Sequence, residues 1–141
     1  MTGDYYDIDV LRPHLVDRAY LLVQAVVPAL TLAEWQQTAK SFLKLEEVVT
    51  ATNSAGVVQG LCIYRIRDHE IVGKLLDVPF LVAISAADQE GVARALLKHV
   101  KDVASLAQCA SIRIWTLEPE NWRRMRDPAF FARWDHGLIM G

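Results

Sequence analysis

One carboxylate stands alone in the most apolar stretch of the chain. Asp77 lies inside Leu75-Leu76-Asp77-Val78-Pro79-Phe80-Leu81-Val82-Ala83-Ile84, a run otherwise rich in Leu, Val, Ile and Phe. A carboxylate so placed is the first candidate for a base that takes a proton from a reacting group. The run gives way to Ser85-Ala86-Ala87-Asp88-Gln89-Glu90-Gly91 and then to a long amphipathic pattern. A strand feeding a helix through a short turn of small residues aims several backbone N–H groups at one point, because the first helical turn holds no acceptors for them. Such a point suits an anion. Asp88 and Glu90 lie in the same turn, where each favours the helix dipole by about 0.3 to 1 kcal/mol. They also oppose a bound anion, since two unit charges about 4 Å apart interact by about 4 kcal/mol at an effective dielectric near 20. Two readings stay open: an anion-binding loop, and an ordinary helix capped by Ser85 or Asp88.

The other reactive side chains carry weaker signals. Glu46, Glu47 and His69 fall in polar turns or at strand starts, and His136 precedes Gly137 near a helix end, where a cation complements the dipole. Asp77 itself has a structural alternative as a solvated strand start or a partner of Lys74. Arg123, Arg124, Arg126 and Arg133 gather beside Trp122 and Trp134, either as a solvated helix side, as a partner face or as a contact for a phosphate. Cys62 and Cys109 have no ligand or redox spacing and read as small packed residues. No cluster suits a metal.

These groups need elements to hold them. The Leu75–Ile84 run is nearly continuous rather than alternating, as in a strand covered on both faces. Val92, Ala95, Leu96, Val100, Val103, Leu106 and Ala107 recur every three or four residues and predict a helix laid on that strand. Upstream, Asp7–Leu11 alternates as a first strand, Leu15, Ala19, Leu22, Val23 and Val26 mark a helix closed by Pro28, and Thr31-Leu32-Ala33-Glu34 forms a capping box for a second. Glu47–Thr52 and Val57–Ile66 are strands joined through Asn53-Ser54-Ala55-Gly56, with Arg67-Asp68-His69-Glu70 as a second turn. Ala110–Thr116 alternates as a strand parallel to the central one. Asp127-Pro128 then opens a last helix as N-cap and first-turn proline, with Gly137 as its stop.

The chain has 141 residues, 52% of them apolar, and a net charge of −2. That fits one domain over 1–141 with a sizeable core. The mixed charge argues against a nucleic-acid or anionic-membrane binder. Ala19–Leu30 is the longest nearly apolar helix candidate, and Gln24, Pro28 and its length below roughly 20 residues keep it from spanning a bilayer. The start, Met1–Asp7, lacks the charge and apolar core of a signal peptide, so a cytoplasmic protein with reduced thiols is expected. A homodimer is left open.

Asp88-Gln89-Glu90-Gly91-Val92-Ala93 resembles the acyl-CoA pyrophosphate loop of the GNAT acetyltransferase superfamily, whose pattern is Arg/Gln-x-x-Gly-x-Gly/Ala at the start of a helix after a central strand. Gly91 and Ala93 fall in place, Arg94-Ala95-Leu96-Leu97 continues as that helix commonly does, and Asp88 stands where Arg or Gln is usual. The order strand, helix, helix, three strands, helix, strand, helix is similar to the GNAT order over nearly the full length. The resemblance implies a mixed α/β fold with a central mixed sheet flanked by helices on both faces, and acetyl-CoA as cosubstrate without a metal. It implies that Gln89, Gly91, Val92, Ala93 and Arg94 hold the pyrophosphate, and that a splayed strand exposes N–H groups near Leu81 to Ala83, with Val82, Ala83 and Ile84 along the bound arm.

GNAT enzymes often carry a Glu on this strand, which makes Asp77 the expected catalytic base. Asp77 is one residue out of register, and one step reverses the face of a strand; a bulge at Pro79 restores it. Phe130-Phe131 and Gly137-Leu138 are similar to the family's Phe-Tyr and Gly-Phe, but the Tyr that protonates the leaving thiolate has no counterpart. Because the chain stops at Gly141, the final strand is expected to be short or missing. The resulting expectation is an acyl-CoA-dependent N-acyltransferase acting on a small-molecule or protein amine by direct attack. The alternative is a non-catalytic module of the same shape that works through protein contacts.

Overall fold

In the computed structural model, which describes residues 6–45, 47–133 and 136–140, the apolar run becomes the fourth of six strands. Strands β1 (Asp7–Val10), β2 (Val48–Thr52), β3 (Val58–His69) and β4 (Gly73–Ala83) pair antiparallel in sequence order. Strand β5 (Ser111–Ile114) joins β4 in parallel, and β6 (Leu138–Met140) lies antiparallel to β5 at the far edge. The final strand is present and only three residues long.

A turn at Pro13–Leu15 leads into α1 (Val16–Val26), and the Thr31–Glu34 box opens α2 (Leu32–Leu45). In that box the Thr31 N–H donates to Glu34 Oε1 at 3.0 Å and the Glu34 N–H to Thr31 Oγ1 at 3.1 Å. The Thr31 N–H, and after it the Thr31 hydroxyl at 2.9 Å, donate to the Glu34 carboxylate and lower its pKa. The remaining helices are α3 (Gln89–Leu106), α4 (Asn121–Arg124) and α5 (Pro128–Ala132). Asp127 caps α5 through the Ala129 N–H. Gly137 leads into β6 with a positive φ of 80° and ends no helix.

The sheet divides two cores. On one face Leu22, Val23, Trp35, Phe80, Trp122 and Phe131 pack together from α1, α2, β4, α4 and α5. On the other, Val92, Leu96 and Val100 of α3 meet Val49, Leu76 and Ile112. The buried positions of α3 step by four from Val92 through Leu96 and Val100 to Ala104, so the predicted stripe drifts off the sheet and leaves Leu106 87% exposed.

The predicted turn at Arg67–Glu70 is displaced. Arg67, Asp68 and His69 stay in the ladder opposite Leu75, Lys74 and Gly73, and the chain reverses at Glu70–Val72. His69 Nδ1 accepts the Ile71 N–H at 3.1 Å, and Gly73 takes the positive φ that the return requires.

Close approach of α3 to the sheet depends on Gly60. A Cβ there would lie 2.7 Å from Val92 Cγ1 and 2.8 Å from Leu96 Cδ1. Gly60→Ala is therefore expected to cost about 1–3 kcal/mol through overpacking, read as a lower urea midpoint with an unchanged slope. An unchanged midpoint would show that α3 can lift without penalty.

Candidate functional site

The two parallel strands part company half-way along β4. Leu75–Val78 pair with Ser111–Ile114, and the last rung is the Trp115 N–H donating to the Val78 carbonyl at 3.0 Å. Beyond it, β4 keeps only its β3 partner. On that side the register steps by two residues on β3, Ile63 to Arg65, and by three on β4, Phe80 to Asp77. Val78 and Pro79 therefore face Tyr64 alone, which is a β-bulge on β4. Pro79 has no N–H to give a ladder, which makes it a natural bulge residue.

The bulge resets the alternation of the strand. Ile84 N–H donates to the Gln59 carbonyl at 2.8 Å, so on the antiparallel pattern Val82 also bonds to β3 while Leu81 and Ala83 turn their N–H groups into the gap. A groove with two aligned amides along one wall can receive a chain of amide and methylene groups.

At the far end of the gap, the mouth of α3 is capped by its own side chain. Asp88 Oδ1 accepts the Gly91 N–H at 3.1 Å, and its Oδ2 accepts the Tyr6 hydroxyl at 2.6 Å. The Asp88 N–H in turn donates to Ser85 Oγ at 3.1 Å. The carboxylate folds back so closely that a Cβ on Gly91 would lie 2.1 Å from Asp88 Oδ2. The negative charge at this helix end is thus supplied by the chain itself. It raises the Tyr6 pKa, first through the hydrogen bond that the phenol would lose on ionising.

Asp77 is wholly buried, as is Arg113. Arg113 Nε and Nη2 donate to Asp77 Oδ1 and Oδ2 at 2.9 and 3.0 Å, and Trp115 Nε1 donates to Oδ1 at 2.7 Å. Asp77 lies on the face of the sheet away from α3, beside Trp115. Its lone pairs are nevertheless taken by fixed donors, with no solvent path. As a proton acceptor it is poorly placed; as an anchor it is well placed. Arg113 continues outward to the carbonyls of Arg133 and Phe131 at 2.6 and 3.0 Å, tying the end of α5 to the sheet.

A cavity of about 440 Å³ opens between α2, β3 and the start of α5, with Pro79 in its wall. Glu47, Arg65, Arg67 and Arg126 supply its charge, and Ile63 and Phe131 part of its apolar surface. Arg65 Nε and Nη2 grip both oxygens of Glu47 at 2.8 and 2.7 Å. Glu47 is the cavity carboxylate that spacing alone ranked low. Glu46 and Trp134 lie outside the described residues.

Solved structures share this fold. The aminoglycoside N-acetyltransferase AAC(6')-Iy in complex with CoA superposes with a TM-score of 0.69 at 15% identity, over 96% of this chain and 93% of that one. AAC(6')-Ih from Acinetobacter baumannii gives 0.68 at 10% identity over 96% of each chain. Arabidopsis thaliana Naa50, bound to the bisubstrate analogue CoA-Ac-MVNAL, gives 0.60 at 16% identity over 90% of this chain and 82% of that one. The fold is that of the GNAT acetyltransferases. No protein-family profile matches the sequence, and no curated protein does.

On this GNAT scaffold the expected binding residues separate. Ala83 offers its N–H to the gap and Leu81 joins it, whereas Ile84 N–H is held by Gln59 and Val82 turns to β3. Gln89 and Gly91 stand in the first turn of α3, with the Gly91 N–H held by Asp88. Val92 is fully buried against the sheet, Ala93 is half-buried and Arg94 exposed. The two amides along the gap suit the amide groups of a pantetheine arm. The helix mouth fits a diphosphate only after Asp88 swings away. Among the described residues, no three His, Cys, Asp or Glu side chains gather to hold a metal, and no helix is long and apolar enough to cross a membrane.

The arginines of the C-terminal region have separate partners. Arg124 pairs with Glu118 and Glu120 at 3.1 and 3.2 Å. Arg126 donates to Thr38 Oγ1 from the cavity edge, and Arg133 lies over the Phe130 ring. His69 reaches the Ala132 carbonyl at 3.2 Å and so braces α5. His136 packs edge-on against Trp115 and stacks on Phe130, in an aromatic cluster rather than at a helix end.

Proposed function

We propose that this protein is an acyl-CoA-dependent N-acyltransferase, one domain over residues 1–141, in which an amine attacks the thioester directly. The separation of β4 from β5 at the Pro79 bulge carries the reading, because it joins a groove lined by free amides to a cavity for a second substrate. In this reading the pantetheine arm lies along β4 and bonds to the Leu81 and Ala83 amides. One of these N–H groups faces the carbonyl oxygen as it gains charge; a well-aimed donor of that kind is worth about 2.7–4 kcal/mol in the transition state. The C–N bond forms, the C–S bond breaks with CoA leaving as a thiolate that takes its proton from water, and the ammonium proton passes to Glu47. Asp77 positions the site through Arg113 and takes no proton.

The acyl group is most simply acetyl, by analogy with the CoA-bound neighbours, and the acceptor is a small-molecule or protein amine. Excess guanidinium charge makes the cavity a poor seat for the polycationic aminoglycosides. Cys62 is a buried thiol whose pKa is pushed up by burial. We place the protein in the cytoplasm, where such thiols stay reduced. The cap made by Asp88 favours a second reading, a GNAT-shaped module that binds CoA weakly and works through protein contacts.

Calorimetric titration with acetyl-CoA, followed by thiol release over a panel of primary amines, separates the two. Micromolar binding with release supports the transferase; weak binding without release for any amine supports the module. Absence of binding by both the natural chain and Asp88→Gln would remove the transferase.

A further inference from the structure

We infer that the cavity beside Pro79 recognises its ligand by an oxyanion, a carboxylate or a phosphate carried on the acceptor amine, seated against Arg67 and Arg126. The inference rests on the acyltransferase reading only in naming that ligand an acceptor. Its basis is a charge count within one wall. Arg65 and Glu47 neutralise each other through a bidentate pair, and Arg113 and Asp77 do the same in the interior. Arg67 and Arg126 are left without a hydrogen-bonded carboxylate among the described residues. Arg67 thus shares with Arg113 a carboxylate that Arg113 already grips, and the guanidinium groups around this cavity outnumber the carboxylates.

Arg67 is the stronger of the two observations. Its side chain is only 23% exposed, and its Nε lies 3.6 Å from Asp77 Oδ2, beyond hydrogen-bond reach. The guanidinium lies over the Phe131 ring with its central carbon 3.4 Å from the centroid. Stacking occupies the faces of the guanidinium and leaves its N–H edge for an in-plane acceptor. Its Nε is buried and has no hydrogen-bond partner among the described residues, an expensive arrangement unless a ligand completes it. Burial first, and the Arg65 charge next, already weigh against its charged form.

Arg126 is exposed, lines the same cavity and donates to Thr38 Oγ1. Both guanidinium groups suit an oxyanion, which they bind through short charge-assisted bonds. Ile63, Met125 and Phe131 would cover an apolar body attached to it.

The test is equilibrium binding to the full chain without acetyl-CoA, using amines matched with and without the anion: L-leucine against isoamylamine, and O-phosphoethanolamine against ethanolamine. In at least one pair the anionic member is expected to bind about tenfold more tightly or better, and the pair that responds tells carboxylate from phosphate. Arg126→Gln, at an exposed side chain, should cut that ratio several-fold while the melting temperature holds. Arg67→Gln should abolish it. Equal binding within both pairs, no binding by any of the four, or a ratio that survives Arg126→Gln would overturn the inference. Acetyl-CoA titration of the same samples keeps the two failures apart: an intact anion preference without CoA binding would sink the transferase and leave this site standing.

Discussion

Arg113→Met is expected to destabilise the fold by about 3–5 kcal/mol, because it strands a buried carboxylate. Asp77 and Arg113 are both fully buried, and the pair is closed by bonds of 2.9 and 3.0 Å. Without the guanidinium, Asp77 keeps only the Trp115 indole and a distant Arg67, and the Phe131 and Arg133 carbonyls lose their donors. In a domain of this size each kcal/mol lowers the midpoint by roughly 3 °C, so a fall on the order of 10 °C is expected. Denaturant melts would measure it directly, and a loss under about 1 kcal/mol would mean that water already reaches Asp77. Combining the change with Asp77→Leu should recover part of the loss, since an apolar pair of similar volume avoids the desolvation of ions. Recovery should be incomplete because two carbonyls remain without donors. The same substitution should loosen the cavity wall, as Phe131 sits between Arg113, which holds its carbonyl, and Arg67, which stacks on its ring. Faster amide exchange in α5 than in α3 would show that coupling.

Local chemistry made much of this chain legible. The Thr31–Glu34 box, the continuous apolar run before the Ser85 turn and the four-residue steps of α3 each specify one element without outside help. Side-chain direction on β4 was harder to read, because it depends on one bulge. Counting alternation through Val78-Pro79 assigns Val82 and Ile84 to the gap, and the extra residue there hands it to Leu81 and Ala83 instead. The partner of Asp77 lay out of reach for another reason. Arg113 sits between Ile112 and Ile114 in a strand that reads as half-solvated, and it becomes buried only because α5 folds over it. Lys74, the nearer cation, donates instead to the Ala107 carbonyl at 2.6 Å. Glu47 reads as an unremarkable strand start until β3 brings Arg65 alongside it. Gly91 shows the limit of a motif: its missing Cβ is consistent with a phosphate loop, yet here the space admits the Asp88 carboxylate.

Asp88→Gln is expected to tighten acetyl-CoA binding by about tenfold or more. Asp88 Oδ1 occupies the Gly91 N–H, the donor that a diphosphate at this helix end would need first. Repulsion between a carboxylate and a phosphate oxygen near 4 Å is worth about 4 kcal/mol at an effective dielectric of 20. Salt and the exposed position reduce that, so one to two orders of magnitude in affinity is the realistic gain. Glutamine removes the charge and is one of the two residues usual here in the acetyltransferase loop. Stability should move the other way, by about 0.5–2 kcal/mol, because the longer amide caps α3 less well. Tyr6 supplies an independent readout. Its phenol is held above the ordinary range by the bond to Asp88, so ultraviolet titration of the variant should show that tyrosine ionising at lower pH. A Tyr6 that shifts while acetyl-CoA affinity stays unchanged would mean that Asp88 leaves the helix end but no diphosphate takes its place, and the chain would then be read as a binding module built on an acetyltransferase frame.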